Sequence, residues 1–316
     1  MFTLASPAAL AFGGPLAGFL LNLHWLGLEG WRWLAILEAL PAIAFAILTW
    51  FFLPDRPENA AWLSEDERRW LLAHLGRENT ARSPSHLAET FKALKLPIVL
   101  VLCAIIVLAN IGIQGFFLWL PTTIQRAASL AAPFASFLSG IPFLVAVISC
   151  LLCSWSSDRS QRRALHVYGP LLLSGIIFSI TALTALPFEW LLFWLCASSA
   201  AIYGFGPTFY LLPSLILRER EAAAAIGLIN MFAGLGGFIG PAVAGRMLQM
   251  GHPFSFVIRF LSACFFLAGL LCFCIRRHLR DRTGSAHAHA KPMLELSADL
   301  MNSGHRMERR GSRLSL

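Results

Sequence analysis

Charged side chains are scarce in this sequence of 316 residues. Asp, Glu, Lys and Arg make up only 13% of it, against roughly 25% in an average soluble domain, and 57% of the residues are hydrophobic. This shortage excludes an ordinary water-soluble domain. It indicates that lipid surrounds most of the chain.

Motifs of the common enzyme classes are absent as well. The sequence has no GxSxG nucleophile motif, no Walker phosphate loop and no HExxH metal-binding motif. A membrane enzyme would place clusters of ionisable residues within its spans, and this sequence shows few. We therefore predict that the protein is not an enzyme, with no catalytic residues, no metal site and no cofactor.

Basic residues are missing from residues 1–20, where a secretory signal would carry them. A paired-cysteine metal motif is missing too. Cys150 and Cys153 have the CxxC spacing, but no second pair accompanies them. We predict that the first apolar stretch is a retained span, and that the cysteines pack among apolar side chains.

Long apolar stretches dominate what is present. A helix of about 20 mostly apolar residues crosses a bilayer, because its backbone hydrogen bonds are all satisfied within the segment. The sequence therefore predicts an all-α integral membrane protein with eight transmembrane helices. The predicted spans are residues 4–23, 31–53, 98–120, 133–155, 164–186, 188–212, 224–247 and 254–275.

Glycine pairs with GxxxG spacing occur in two of these spans, at Gly14 and Gly18 and at Gly236 and Gly240. Each pair is predicted to let two helix backbones approach closely. Prolines within spans are predicted to break or kink helices. These prolines are Pro15, Pro41, Pro142, Pro207 and Pro241.

The formal charge of +8 is concentrated on one side of the predicted membrane. Of the 25 Lys and Arg residues, those outside or near the outer ends of spans are Arg32, Arg126, Arg246 and Arg259. This bias places both termini in the cytoplasm of a multi-pass inner-membrane protein. The basic charge thus reports orientation in the lipid bilayer, and we predict no nucleic-acid partner.

A charged segment at residues 54–97 separates the first two spans from the other six. Within it, Ser64 followed by Glu67 forms a capping box, which predicts the start of a short helix. A helix that lies along the membrane surface and a solvated helical linker are both compatible with this pattern. Residues 276–316 lose hydrophobic periodicity and are predicted to form a disordered, basic cytoplasmic tail.

Several segments together resemble the anion:cation symporter branch of the major facilitator superfamily, which includes permeases for tartrate, phthalate, hydroxyphenylacetate and sugar acids. The most specific run is Phe52-Leu53-Pro54-Asp55-Arg56-Pro57, followed by Ala61-Trp62-Leu63-Ser64. The other resembling segments are Gly13-Gly14-Pro15-Leu16-Ala17-Gly18, Gly30-Trp31-Arg32-Trp33-Leu34, Asn110-Ile111-Gly112, Trp119-Leu120-Pro121, Trp155-Ser156-Ser157-Asp158-Arg159 and Leu235-Gly236-Gly237-Phe238-Ile239-Gly240-Pro241.

The resemblance implies two six-helix bundles around a central cavity. Residues 1–53 would be the last two helices of the first bundle, 54–97 the cytoplasmic central loop and 98–275 the complete second bundle. The first four helices of the family would then be lacking. In relatives those helices commonly carry a substrate-binding Arg and an acidic group linked to proton coupling, so neither is assigned here.

Four residues are candidates for substrate contact. Asn110 and Gln114 lie four residues apart and share one face of a span, where uncharged polar side chains need partners or water. They can bind a carboxylate or hydroxyl of the substrate, or form hydrogen bonds between helices. The resemblance places Asn230 at the cavity, and Tyr210 either lines the pocket or packs as an ordinary aromatic residue.

Asp158, Arg159 and Arg162 lie at a predicted cytoplasmic turn, with Arg163 beside them. The resemblance implies that this motif latches helix ends during gating, while a solvated charged turn is the alternative. Trp155 stands where the family motif usually begins with Gly.

The resemblance predicts transport of a small organic anion, such as a sugar acid, a dicarboxylate or an aromatic acid. It further predicts proton symport by alternating access. The alternative is a truncated, non-transporting membrane protein that needs a partner chain.

Overall fold

The computed structural model describes residues 2–23, 25–60, 62–79, 94–182, 186–217, 219–277 and 279. Its regular structure in these ranges is helical, as the apolar periodicity predicts. In chain order the α-helices are α1 (Ala5–Leu20), α2 (Gly30–Phe52), α3 (Glu65–Asn79), α4 (Pro97–Ala128), α5 (Ala132–Leu138), α6 (Gly140–Ser160), α7 (Leu165–Ile180), α8 (Phe188–Gly204), α9 (Gly206–Ile216), α10 (Glu219–Gln249) and α11 (Phe254–Cys274).

Six segments of the described residues are long and apolar enough to cross a bilayer. The other two predicted spans correspond to α1 and α7, which are apolar but have 16 residues each. A helix of that length rises about 24 Å, less than the hydrocarbon thickness of about 30 Å. The all-α membrane fold is therefore confirmed, while the count of eight spans stays a prediction.

Two predicted spans are interrupted. The segment predicted at 133–155 forms α5 and α6, which meet at Ser139, and the segment predicted at 188–212 forms α8 and α9, which meet at Phe205. Pro207 lies in the first turn of α9. Because proline has no N–H and its ring crowds the carbonyl four residues earlier, it ends the preceding helix at this point. The predicted break at Pro207 is confirmed.

The chain divides into two compact units. One comprises Met1–Ala8, Thr90–Trp119 and Pro142–Leu316, and the other Ala9–Glu89 and Leu120–Ile141. The predicted boundaries of the family bundles, at residues 53 and 98, stay a prediction.

In the second unit, α1 packs against α5 through the predicted glycine pair. A Cβ atom at Gly14 would lie 3.0 Å from the Ser136 carbonyl oxygen, and one at Gly18 would run into the Pro133 carbonyl oxygen. This GxxxG prediction is confirmed. Helix α2, in the same unit, buries none of the residues in its most apolar 18-residue stretch.

The first unit has a core in which α7 packs against both α8 and α11. Small residues set these distances. A Cβ atom at Gly175 would lie 2.9 Å from the Ser262 carbonyl oxygen, and one at Gly269 would lie 2.8 Å from Leu172 Cγ. The side chains of Leu171 and Phe265 are fully buried within this core.

Helix α3 begins with the predicted capping box. The Ser64 hydroxyl donates to Glu67 Oε2 at 2.7 Å, the Ser64 N–H donates to the same oxygen at 3.1 Å, and the Glu67 N–H donates to Ser64 Oγ at 3.3 Å. The hydroxyl and the N–H of Ser64 together lower the pKa of the Glu67 carboxyl, because both bonds favour its charged form. The capping-box prediction is confirmed.

Candidate functional site

Two of the four predicted substrate residues lie on one face of α4. Asn110 and Gln114 are both half-buried in this 32-residue apolar helix. The Asn110 amide donates one hydrogen bond to the Ile106 carbonyl at 3.2 Å, within its own helix. Among the described residues Gln114 forms no hydrogen bond, so its amide is available to a ligand or to water.

A glycine seam on α10, formed by Gly236, Gly237 and Gly240, lies directly against this face. A Cβ atom at Gly236 would lie 3.1 Å from Asn110 Cβ and would run into the Val107 carbonyl oxygen. One at Gly237 would lie 3.3 Å from Gln114 Cγ. The two amides therefore sit where the backbones of α4 and α10 are in contact, which confirms the second GxxxG prediction.

Asn230 lies on α10 and is exposed. It precedes Gly237 by two turns, so both share one face of the helix, about 10 Å apart along its axis. Tyr210 is half-buried in α9, with its ring 5.7 Å from that of Phe209. Among the described residues no hydrogen bond joins Asn230 or Tyr210 to the other candidates. The structure thus brings together Asn110 and Gln114.

Three buried serine hydroxyls in the helices of the first unit donate to their own backbone. Ser174 donates to the Pro170 carbonyl at 2.7 Å, Ser198 to Trp194 at 2.7 Å and Ser262 to Ile258 at 2.8 Å. Each bond joins a side chain to the carbonyl four residues earlier, so the polar group is satisfied within one helix. The Gln114 amide, which makes no hydrogen bond among the described residues, is therefore more available to a ligand than these hydroxyls.

A polar cluster at the break between α8 and α9 has no counterpart among the predicted site residues. The Ser149 hydroxyl donates to the Ala200 carbonyl at 2.6 Å, and the Cys150 thiol donates to the Tyr203 carbonyl at 3.0 Å. Pro207, four residues after Tyr203, has no N–H to offer that carbonyl. The spacing from Tyr203 to Pro207 is the sequence signal that marks this free carbonyl.

The predicted gating residues lie at the end of α6 and in the turn before α7. Arg163 Nη1 donates to Asp158 Oδ1 at 3.0 Å, and this pair joins a side chain with 10% exposure to one with 70%. Gln161, at φ +53°, donates from its side-chain amide to the Asp158 carbonyl at 2.6 Å. The direct partner of Asp158 is therefore Arg163, which was predicted only as a neighbour of the motif.

Arg159 and Arg162 do not pair with Asp158. The Arg159 guanidinium lies 5.8 Å from the ring centroid of Trp155, one turn earlier on α6. Trp155 stands where the family motif usually has Gly, and its side chain is 63% exposed. This large residue therefore does not need space between packed helices. The Arg162 side chain is exposed, and its guanidinium has no partner among the described residues.

The model of the Major Facilitator Superfamily matches residues 1–241 of this sequence. The chain belongs to the Major Facilitator Superfamily. The match includes all of the predicted substrate and gating residues and ends within α10. A superfamily member with several apolar helices is a multi-pass membrane protein, as the composition predicted.

Curated relatives of this superfamily member carry transporter names. A protein of Agrobacterium vitis that is named for tartrate transport is 30% identical over 91% of this chain and 64% of its own length. A quinolone resistance transporter of Acinetobacter baumannii is 30% identical over 93% of this chain and 68% of its own length. The chain thus spans less than two thirds of the tartrate-named relative. These names agree with the prediction that the protein is not an enzyme.

Solved structures of the superfamily share the fold. A proton:xylose symporter matches with a TM-score of 0.61, 15% identity, and coverage of 87% of this chain and 63% of the symporter. At this identity the likeness concerns the fold of the superfamily alone.

Proposed function

We propose that this superfamily member takes part in secondary transport of a small organic anion, namely a sugar acid, a dicarboxylate or an aromatic acid. The observation that carries the proposal is the pair of half-buried amides, Asn110 and Gln114, on an apolar helix at the α10 glycine seam. Amide N–H groups donate to carboxylate oxygens. The relative named for tartrate supports a carboxylate substrate, since tartrate is a dicarboxylate.

Proton symport by alternating access is the proposed coupling. An anion that enters a cell moves against an interior-negative potential, which costs about 2.3 kcal/mol per charge at 100 mV. One proton carried for each negative charge of the anion cancels that cost and adds the energy of the pH gradient. The proposal places the chain in the inner membrane with both termini cytoplasmic, as the distribution of Lys and Arg favours.

Uptake by the full chain tests the activity. Proteoliposomes would receive labelled tartrate, gluconate or benzoate under an imposed pH gradient, with empty vesicles as the control. We expect one class of acid to accumulate, and a protonophore to abolish the accumulation. Uptake no greater than in empty vesicles for all three would contradict autonomous transport by this chain.

Substitution of Gln114 tests the binding site. In Gln114→Ala we expect the KM for the transported acid to rise about ten-fold or more, because a hydrogen bond to a charged group contributes about 1.5–3 kcal/mol. Gln125→Ala is the matched control, since it removes the same side chain from the same face of α4, about three turns further along. An equal rise in KM in both variants would remove Gln114 from the proposed site.

Asp158, Arg159 and Arg162 are the proposed gating residues, with Arg163 as the direct partner of Asp158. We expect Asp158→Asn to lower the rate of uptake, because it removes the carboxylate that holds the largely buried Arg163 side chain. Exchanging the two charges, in Asp158→Arg with Arg163→Asp, should recover part of the rate. A double variant as slow as the single one would argue against a latch at this pair.

A further inference from the structure

A groove of about 600 Å³ opens between the turn that precedes α7 and the end of α11. Its volume lies within the range of about 300–1,000 Å³ that is usual for ligand pockets. Four guanidinium groups line it, and no acidic residue does so among the described residues. The four are Arg162, Arg163, Arg276 and Arg277. The groove therefore presents concentrated positive charge to a ligand.

The two arginines on the α7 side differ in how they are held. Arg163 is fixed by its bond to Asp158, its side chain is 10% exposed, and its Nε atom is buried without a hydrogen-bond partner. A buried donor without an acceptor is unfavourable, so the site favours a ligand or water that supplies an acceptor. Arg162 leaves its guanidinium unpaired among the described residues and accessible to the same ligand.

The two arginines on the α11 side extend the same charged surface. Arg276 Nη1 donates to the Phe273 carbonyl at 2.8 Å, and its guanidinium lies 3.5 Å from the centre of the Phe273 ring. These contacts hold Arg276 at the end of the apolar helix. Arg277 is exposed and has no partner among the described residues. Both residues lie beyond the part of the chain that matches the superfamily model.

The groove lies where two apolar helices end. Arg162 and Arg163 lie within three residues of the start of the apolar helix α7. Arg276 and Arg277 lie within three residues of the end of the apolar helix α11, which packs against α7. The charges are therefore at the boundary between hydrocarbon and water. Tyr168 lines the groove, and its ring meets that of Phe273 edge-on at 5.3 Å. An aromatic wall next to the arginines suits a ligand with an anionic head and an apolar tail.

We propose that this groove binds the phosphodiester head of an anionic phospholipid, with its acyl chains alongside α7 and α11. Guanidinium groups form paired, charge-assisted hydrogen bonds with phosphate oxygens, and basic pockets between membrane helices are suited to such headgroups. A soluble phosphate shares the headgroup chemistry, but it gains nothing from the apolar surface below the groove. This site is separate from the proposed substrate contacts on α4 and does not depend on transport.

Native mass spectrometry of the full chain in non-ionic detergent tests the proposal. Phosphatidylglycerol and phosphatidylcholine with identical acyl chains would be added in equal amounts, and bound lipid counted. We expect phosphatidylglycerol to be preferred. In the double variant that carries Arg276→Gln and Arg277→Gln, the Kd for phosphatidylglycerol should rise about 30-fold. Each basic residue beside an anionic surface contributes a factor of about five.

Two further variants separate the groove from general charge and from misfolding. Arg246→Gln with Arg259→Gln removes the same charge at helix residues outside the groove, and its affinity for phosphatidylglycerol should not change. Arg276→Lys with Arg277→Lys retains the charge and should retain most of the affinity. Equal losses in both glutamine variants, or no loss in either, would overturn the site.

Competition distinguishes the two sources of phosphate. Inorganic phosphate and glycerol phosphate, each at millimolar concentration, should leave bound phosphatidylglycerol in place. Displacement of the lipid by either anion would overturn the assignment to a phospholipid and would indicate a soluble anion site.

Discussion

Two apolar helices of this chain, α2 and α4, have similar composition and opposite surroundings. In the most apolar 18-residue stretch of each helix, no residue of α2 is buried, whereas 56% of the residues of α4 are. Helix α2 carries large exposed side chains along its length, including Ile36, Leu40 and Phe45. Helix α4 buries the small residues Ala109, Gly112 and Gly115.

The difference shows that hydropathy and packing are separate properties of a membrane helix. Lipid tails are as apolar as leucine, so apolarity alone gives one helix no reason to contact another. Small residues create that contact. On α4, the space at Gly112 is filled by the Phe265 ring and the space at Gly115 by Leu261, each 2.5 Å from where a Cβ atom would stand.

Truncating one phenylalanine on each helix gives the largest expected contrast. Phe116 on α4 is 1% exposed, and its ring meets that of Phe178 edge-on at 5.3 Å. We expect Phe116→Ala to lower the free energy of unfolding by about 3–5 kcal/mol. Phe45 on α2 is 68% exposed, so Phe45→Ala should change it little. Reversible unfolding in mixed micelles measures both, and equal losses would contradict the contrast.

Adding one methyl group to each of two glycines of α10 should give smaller effects, with opposite signs in the two variants. A Cβ atom at Gly240 would run into the Ile111 carbonyl oxygen, so Gly240→Ala should destabilise by about 1–3 kcal/mol. Gly234 has open space around it, and Gly234→Ala should stabilise by up to about 1 kcal/mol through helix propensity. The same unfolding assay applies. Two variants that shift it in the same direction would show that the seam does not set helix contact.

Helix α3 adds a third case, stabilised by its cap, and gives the smallest effect. Because hydrogen bonds from Ser64 lower the pKa of Glu67, the cap contributes stability above the unfolded pKa of about 4.3. That contribution is lost as the pH falls through the lower, folded pKa. Hydrogen exchange in the first turn of α3 should therefore accelerate in acid beyond its intrinsic pH dependence. Ser64→Ala should remove this extra acceleration. If the acceleration persists in this variant, the capping box is not its cause.

Local features of the fold could be predicted from the sequence because their causes are local. The Ser64 to Glu67 spacing predicts a cap, the proline at 207 predicts a helix break, and Gly236 with Gly240 predicts a close helix contact. Each depends on neighbours within a few residues or on the absence of a side chain. The partner helix is a different matter, since nothing in GxxxG identifies α4 as the neighbour of α10.

The placement of the candidate residues was predictable only where it is local, and their role stays a prediction. The four-residue spacing of Asn110 and Gln114 fixes their shared face, and the structure keeps them together. The pairing of Asp158 with Arg163 depends on the turn at Gln161, whose positive φ redirects the chain in a way that residue type does not predict. The meeting of Arg162 with Arg276 requires α7 and α11 to pack, and these helices are far apart in sequence.

The polar cluster at the break between α8 and α9 constrains any cysteine-labelling study of this protein. Site-directed probes are usually introduced into a background from which native cysteines have been removed. Here Cys150 supplies the hydrogen bond to the Tyr203 carbonyl, and Cys153 Sγ lies 3.0 Å from where a Cβ atom at Gly204 would stand. Cys150→Ser keeps a donor and Cys150→Ala does not, so the choice of replacement decides whether the Tyr203 carbonyl, which Pro207 leaves without a backbone donor, is still hydrogen-bonded in the background.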